Sequence, residues 1–471
     1  MRKAADVRIG IVGGGPAGSA AALALLDQGF QCSIIEKSSY SDFRIGEHLL
    51  PSARSLLGRL GMLEEMENCR NVGCPGVRSA WGGSALEDMD YLFNPHGGGF
   101  NLSRPEFDAN LANTAVERGA ELLVETKLTS ASLQSDGWNV ELNSQGKRVP
   151  GQFDFLVDAS GRASALATRL GAKRISHDKL IGLTGFLSSS EPTASADDTN
   201  QENMLLLESS EDGWWYCASL SNHRIVVTYM TDAEKLKNDR PLALWSLALK
   251  STKHVRDYCQ SYHDPQEVHV RSARTQRLNR MAGKGWLAIG DAAYSFDPLS
   301  SAGISKGLSS GLHSAEVIKS YFSGNERALE NYCAESVRDF DEYLIERAGY
   351  YRLETQWPNA SFWRRRQKPL AVEQPITLDP EAHLYAAETW APGGVFAASD
   401  EYLPGVNSAL LSSLASTPTP AHQLISLYQV QTEKQNSDRD VIAVLQMLID
   451  DNQLLVQTNS RFNGSQGGSV P

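Results

Sequence analysis

Two hydrophobic periods alternate along the chain, and the switches between them mark its elements. The apolar run over residues 7–12 reads as a buried strand, residues 20–26 as an alanine- and leucine-rich helix, and residues 31–35 as a second strand. Leu56, Leu57, Leu60 and Leu63 carry a helix, whereas residues 77–104 alternate as paired strands crossing into a second layer. Residues 122–126 and 137–143 read as strands, and so does the apolar run 153–157. From about 183 to 275 apolar and polar positions alternate again, as at 204–207 and 225–229, around a polar insert over 188–203 that reads as a loop. Residues 286–289 form a last buried strand, followed by the helical spacing Ile304, Leu308, Leu312 and Ala315. Beyond about residue 378 the pattern changes to three short helices, 407–414, 421–428 and 438–449, and then a strand over 454–456. In the third helix Val441, Leu445 and Leu448 share a face, with Val444 adjoining. Strands alternating with helices and followed by a helical module predict an α/β protein of two or three domains.

Composition narrows the classes. With 41% hydrophobic and 21% charged residues the chain is of the globular type, and its net charge of −12 lacks the basic face that nucleic acid requires. The six cysteines show no C-x-x-C spacing, so neither a zinc site nor a disulfide framework is expected, which fits a cytoplasmic protein. Residues 9–26 carry no charge and approach the length of a membrane span, but Gly13-Gly14-Gly15-Pro16 interrupts them, and strand–turn–helix explains them better. With structure starting by Val7, no signal peptide is expected and no membrane span.

Candidate chemistry begins at that turn. Gly13, Gly15 and Gly18 have G-x-G-x-x-G spacing, with Pro16 and Ala17 between them. The glycines serve a tight turn, close approach of the backbone to a pyrophosphate, and helix–sheet packing. Glu36 ends the second strand, 18 residues past the last glycine, where an acid accepts both hydrogen bonds of a ribose diol, with Lys37 beside it. Near residue 290 a strand ends at Gly290-Asp291, Pro298 opens a turn, and Gly303-Ile304 starts a helix whose free N–H groups face an electron-rich ring edge.

The segment Gly290-Asp291 through D-P-L-S-S-A-G-I resembles the second FAD fingerprint of flavoprotein monooxygenases, in the branch holding flavin-dependent halogenases and their non-halogenating relatives. Asp158-Ala159-Ser160-Gly161-Arg162 resembles the family's D-G motif, Arg104 with Phe107-Asp108 its R-x-x-F-D element, and Gly46-Glu47 through Pro51 its G-E-x-x-x-P segment. The resemblance covers roughly residues 5–365. It implies a noncovalently bound FAD held by the residues above together with Arg44, Arg104, Asp158 and Gly161. It also implies a Rossmann-like FAD/NAD(P)-binding fold of the aromatic-hydroxylase type, with a β-rich substrate domain inserted. The boundaries expected are 1–76, 104–182 and 271–345 for the FAD domain, and 77–103 with 183–270 for the substrate domain. A connecting aromatic and arginine segment over 346–374 follows, then a helical, winged-helix-like module over 375–462 and a disordered tail over 463–471.

Halogenases of this branch need a lysine to pass on hypochlorous acid, yet no lysine lies between Lys37 and Lys127. Ser300 stands where tryptophan halogenases carry glutamate, and the nearest match to their W-x-W-x-I-P motif is Gly213-Trp214-Trp215-Tyr216. All three departures point to oxygenation rather than halogenation, through a flavin C4a-hydroperoxide attacked by an electron-rich aromatic ring. Asp297 and Glu47 are the candidates for proton handling, each with a plainer reading as a cap. Trp214, Trp215 and His48 are the candidates for the substrate, the tryptophans reading equally as core. The motifs also resemble flavoprotein maturases that hydroxylate a protein tryptophan in cysteine tryptophylquinone biogenesis, which implies a tryptophan in a partner polypeptide as substrate. Three alternatives stay open: a halogenase, a small-molecule aromatic hydroxylase, and a non-catalytic flavin-bearing module. No second G-x-G-x-x-G follows, so the electron source, NADPH or a separate donor, is not fixed by the sequence. No metal site is expected.

Overall fold

The computed structural model describes residues 3–41, 43–68, 71–189, 203–236 and 240–367, and, further on, 383–386, 406–432 and parts of 438–456. They fall into two compact units, Met1–Gln367 and Lys368–Pro471.

The first unit is built on two sheets. Its six-stranded sheet runs Ala282–Gly283, Trp286–Ala288, Phe155–Asp158, Arg8–Val12, Gln31–Ile35, Glu121–Leu123. All neighbours in it are parallel except the first pair. Parallel strands buried on both faces read as unbroken apolar runs, which is why the sequence shows them plainly. Against this sheet lie the helices Pro16–Asp27 and Gly303–Phe322. They approach closely at Gly311, where a Cβ would stand 2.6 Å from the Ala17 carbonyl oxygen, so only glycine fits.

The second sheet has seven strands, in the order Val268–Ser272, Leu180–Ser188, Arg224–Asp232, Gly213–Leu220, Leu205–Ser210, Gly76–Ala80, Glu87–Asp90. Its faces bury separate clusters. One holds Trp214, Tyr216 and Met230 with Tyr351, Phe362 and Trp363, and the other Trp215, Val227 and Tyr229 with Trp245 and Val255.

Several expectations are corrected. Of the expected connector 346–374, the part up to Gln367 belongs to the first unit, since the helix Ala328–Arg352 runs through position 346 and Ser361–Arg366 packs Phe362 and Trp363 into its core, while 368–374 lie outside the described residues. The strand Gly99–Asn101 pairs with His48–Leu49 and Val72–Cys74, not with the substrate sheet. Thr126–Gln134, Gly137–Ser144 and Lys147–Phe153 form an antiparallel sheet whose extent the sequence reading missed, because small polar residues carry much of the first strand's alternation. The substrate layer also carries two helices, Pro241–Leu249 and His254–Cys259. The strand Leu180–Ser188 reaches into the polar insert, of which 190–202 lie outside the described residues.

In the second unit the strands Thr419–Pro420, His383–Ala386 and Leu454–Val456 form an antiparallel sheet. The helices Ser408–Leu414 and Ala421–Gln431 and the helical positions between 438 and 448 share one core of Leu384, Leu411, Leu424, Tyr428, Val441, Val444, Leu445 and Leu448. The tail 463–471 lies outside the described residues. Among the described residues no helix is long and apolar enough to cross a membrane.

Candidate functional site

A cavity of about 1080 Å3 opens between the two sheets of the first unit. That exceeds the ~300–1,000 Å3 of ordinary small-molecule pockets.

One end is the glycine turn. Gly13 has φ +110°, and a Cβ there would stand 2.3 Å from the Ala159 carbonyl oxygen. Gly15, Pro16 and Ala17 line the cavity at the start of their helix, where free N–H groups attract a phosphate. Gly18 lies off the wall: a Cβ there would meet the Gly13 carbonyl oxygen at 1.9 Å, so its part is packing. Glu36 and Lys37 line the same end. The Glu36 carboxylate accepts from the Gly14 N–H at 2.8 Å, from the Ser38 N–H and hydroxyl at 2.9 and 2.7 Å, and from Arg44 at 3.2 Å. Arg44 also reaches Asp108 at 2.6 Å, and Arg104 grips the same carboxylate at 3.1 and 3.2 Å. Asp108 is fully buried and both arginines line the cavity, so the two guanidiniums hang from one anchor.

The middle of the cavity is closed by the D-A-S-G-R turn and by Asp291. Gly161 lines it with φ +69°. Asp158 corrects the sequence reading: its buried carboxylate accepts from the Ser160 N–H and hydroxyl and from the Ala167 N–H, so it builds the turn and does not line the cavity. Gly290 is likewise packed, a Cβ there standing 2.8 Å from Ala17 Cβ. Asp291 does line the cavity, ion-paired with Lys306 at 2.9 Å and Arg162 at 3.3 Å. Burial raises its pKa, but those two charges outweigh burial and hold the carboxyl below its ordinary value. Pro298, Gly303 and Ile304 complete this wall.

The far end holds the titratable candidates. Glu47 is 2% exposed. Its Oε2 accepts from the Tyr216 hydroxyl at 3.0 Å and the Gly46 N–H at 3.2 Å, while Oε1 has no partner among the described residues. Burial raises the Glu47 pKa, opposed in part by Arg104. His48 lines the cavity beside it, Nδ1 being 3.1 Å from Asn101 Oδ1 and Nε2 3.4 Å from the Tyr91 hydroxyl. Asn101 Nδ2 donates to the Asn203 carbonyl, which turns Oδ1 toward the imidazole and puts the proton on Nδ1. Burial pushes the His48 pKa down to about 4, so the ring is neutral near pH 7.

Asp297 also lines the cavity, but its carboxylate is spoken for. It accepts from the Leu299 N–H at 3.1 Å, Arg347 Nε at 3.1 Å and the Tyr351 hydroxyl at 2.8 Å. That arrangement fits the plainer reading of Asp297 as a turn cap and an ion-pair anchor. Trp214 stands on the wall, its Nε1 donating to the Tyr351 hydroxyl at 3.1 Å. Trp215 does not: side chains alternate along a strand, so it points to the opposite face, stacked 4.6 Å from Tyr229. Arg162, which lines the cavity, and Lys306, Arg347 and Tyr351, which hold the lining carboxylates Asp291 and Asp297, were missed. For the last two the signal was present, since an arginine and a tyrosine continue the buried face Phe340, Tyr343, Leu344 of their helix.

The residues present fit a flavin dinucleotide. Gly15, Gly161 and Gly303 line the cavity, and a Cβ at Gly161 or Gly303 would meet no protein atom within 4 Å, with only Arg44 that near at Gly15. These sides are clear for a closely approaching ligand. Among the described residues no cluster of His, Cys, Asp and Glu is placed to hold a metal ion.

Comparison with known proteins agrees. Residues 6–339 match the FAD binding domain family. LodB of Marinomonas mediterranea, an FAD-dependent oxidoreductase by provisional assignment, is 32% identical over 371 residues, 77% of this chain and 97% of LodB. The tryptophan 2-halogenase of Chondromyces crocatus is 26% identical over 78% of this chain and 72% of its own. Among solved structures, the flavin-dependent halogenase CmlS superposes with a TM-score of 0.70 at 19% identity, covering 99% of this chain and 98% of CmlS. The peptidyl tryptophan dihydroxylase QhpG, essential for tryptophylquinone cofactor biogenesis, gives 0.64 at 23%, covering 95% and 99%. The chain belongs to the FAD binding domain family, as an FAD-dependent oxidoreductase of the monooxygenase type related to the flavin-dependent halogenases.

Proposed function

We propose that this enzyme hydroxylates an electron-rich aromatic ring held beside Trp214, and that the ring is a tryptophan within a partner polypeptide. The observation that carries the oxygenation reading is the far end of the cavity. It presents a buried carboxyl with a spare oxygen, Glu47 Oε1, and among the described residues no lysine on its wall. The lysines on the cavity wall among the described residues are Lys37 and Lys127, both at the Glu36 end, where the Thr126 N–H meets the Glu36 carbonyl. A halogenase needs its lysine next to the substrate, whereas a hydroxylase needs a group that holds a proton there.

Bound, reduced FAD supplies the activation of dioxygen, one oxygen atom entering the ring and the other leaving as water. The protein does the rest. Trp214 and Tyr216, both buried, give the ring a face to pack on and keep bulk water out. Glu47 takes up or returns a proton at Oε1 while Tyr216 and the Gly46 N–H fix its other oxygen. Neutral His48 offers no competing charge. The second unit, with three helical stretches and a small sheet in a winged-helix-like order, is assigned the holding of the partner chain, since its acidic Asp450-Asp451 and the net charge of −12 do not suit nucleic acid.

The decisive experiment supplies reduced FAD, dioxygen and halide with either tryptophan-bearing polypeptides or free aromatic compounds, and reads product masses. Addition of oxygen to the polypeptide is expected. Halide-dependent masses would return the chain to the halogenases, and efficient oxygenation of free metabolites with no partner present would remove the polypeptide.

A further inference from the structure

The sheet that roofs the cavity ends in a bare edge, and its register carries the cavity face out to that edge. Met230 stands opposite Trp214, and Tyr216 opposite Leu207. In the next strand Leu205 is beside Val77, and Val77 is opposite Met89 in the last strand, Glu87–Asp90. Residues paired across strands share a face. Met89 and Glu87 therefore continue the face whose Leu205, Leu207, Trp214, Tyr216 and Met230 line the cavity.

Among the described residues no strand pairs with the outer side of Glu87–Asp90, and all four of its residues are exposed. Edges of this kind are blunted by short length and by charge, and this one has four residues, three of them acids. Apolar side chains border it as well: Leu86, Met89, Leu92 and Phe93 are 40, 59, 75 and 94% exposed. One end of the strand lies behind the cavity wall, since the next residue, Tyr91, places its hydroxyl 3.4 Å from Nε2 of His48, which lines the cavity. Charge narrows the occupant. Asp88, held by Arg78 in a two-pronged pair at 2.7 Å, shares one face of the strand with the exposed Asp90, whose Oδ1 also accepts from the Leu92 N–H, while Glu87 lies with Met89 on the other face. A second copy of this chain pairing antiparallel on the same edge would bring these acids up against one another, which opposes self-association.

We propose that Glu87–Asp90, with Leu92 and Phe93, is the docking edge for an extended segment of the substrate polypeptide that carries lysine or arginine at alternate positions. The segment adds an eighth strand to the sheet, main-chain hydrogen bonds supplying affinity and the acids and apolar side chains supplying selection. It lies next to the aromatic residue to be modified, which enters the cavity past His48. This inference rests on the polypeptide reading of the substrate given above.

The test uses the FAD-loaded full chain and two labelled nine-residue peptides without tryptophan. Both contain the same lysines and valines, alternating in one and segregated into blocks in the other. The alternating peptide is expected to bind roughly tenfold more tightly, to lose affinity with added salt, and to slow hydrogen exchange at amides 87–90. Asp90→Lys should cost a few-fold in that affinity and Leu92→Ser with Phe93→Ser roughly tenfold, with flavin absorbance unchanged in both. Equal binding of the two peptides, protection elsewhere in the chain, or full affinity in the charge-reversed variant would overturn the proposal. Because these peptides contain no tryptophan, docking is read apart from chemistry. Docking without oxygenation of any tryptophan polypeptide would sink the functional reading alone, and unchanged oxygenation by the charge-reversed variant would sink the docking edge alone.

Discussion

Among the carboxylates of the far end, hydrogen bonding decides the roles. Glu47→Gln keeps the shape of the side chain and removes its proton exchange, so turnover should fall by roughly a hundredfold or more while flavin absorbance is retained. Asp297→Asn should act differently. It leaves the buried Arg347 with only Asp178 as an ionic partner, and a loss on the order of 3 kcal/mol of stability is expected in thermal or denaturant unfolding. Protonation of His48 gives a pH test. Its pKa is depressed from 6.5 to about 4, so the unfolded chain binds the extra proton and stability drains away as pH falls through that window, by up to about 3 kcal/mol. Glu47, with a raised pKa, works the other way, losing stability as pH climbs above the ordinary carboxylate range. His48→Gln should therefore flatten the acid-side loss of wild-type stability between pH 6.5 and 4, and an unchanged profile would refute the assignment. Glu47 was legible in the sequence from its motif, but its spare oxygen was not, since that depends on Tyr216, 169 positions away.

At the scale of elements, two adjacent tryptophans make the contrast. Trp215→Ala should cost roughly 3–5 kcal/mol of stability through the hole left against Tyr229 and Trp245 and leave FAD in place. Trp214→Phe should cost only about 1 kcal/mol for the lost bond to Tyr351, and instead change substrate KM. Unfolding and steady-state kinetics on the pair separate the two. The strand itself was readable as Gly213-Trp214-Trp215-Tyr216, and period two dictates that one indole leaves the cavity. Which one leaves is fixed by the register against Ser209 and Met230, which no local pattern encodes. For the same reason the buried parallel strands were plain in the sequence, whereas the half-exposed sheet over 126–153 was understated.

On the scale of the molecule, the family match ends at residue 339 and the first unit at Gln367, and LodB is spanned to 97% by 77% of this chain. All cavity-lining residues fall between Val12 and Gly307. A chain ending after Gln367 should accordingly bind FAD with an unaltered absorbance spectrum, while removing 375–471 should abolish modification of a partner polypeptide. Loss of flavin on truncation would refute the first expectation, and normal modification would refute the second. The ordered fingerprints at 13–18, 158–161 and 290–291 made the first unit readable, because closely approaching backbone restricts residue choice there. The boundary after Gln367 was not readable, because the aromatic and arginine residues just before it look like surface chemistry until Phe362 and Trp363 are seen in the core.

The anchor at Asp108 bears on how the enzyme comes to be loaded. Arg44 and Arg104 meet Asp108 and Glu36 in a closed ladder of two positive and two negative groups. Each charge of this ladder has an opposite neighbour within the protein, so its burial avoids the penalty of an isolated ion. The folded chain is therefore expected to persist without flavin, and FAD added afterwards should restore the flavin absorbance without refolding.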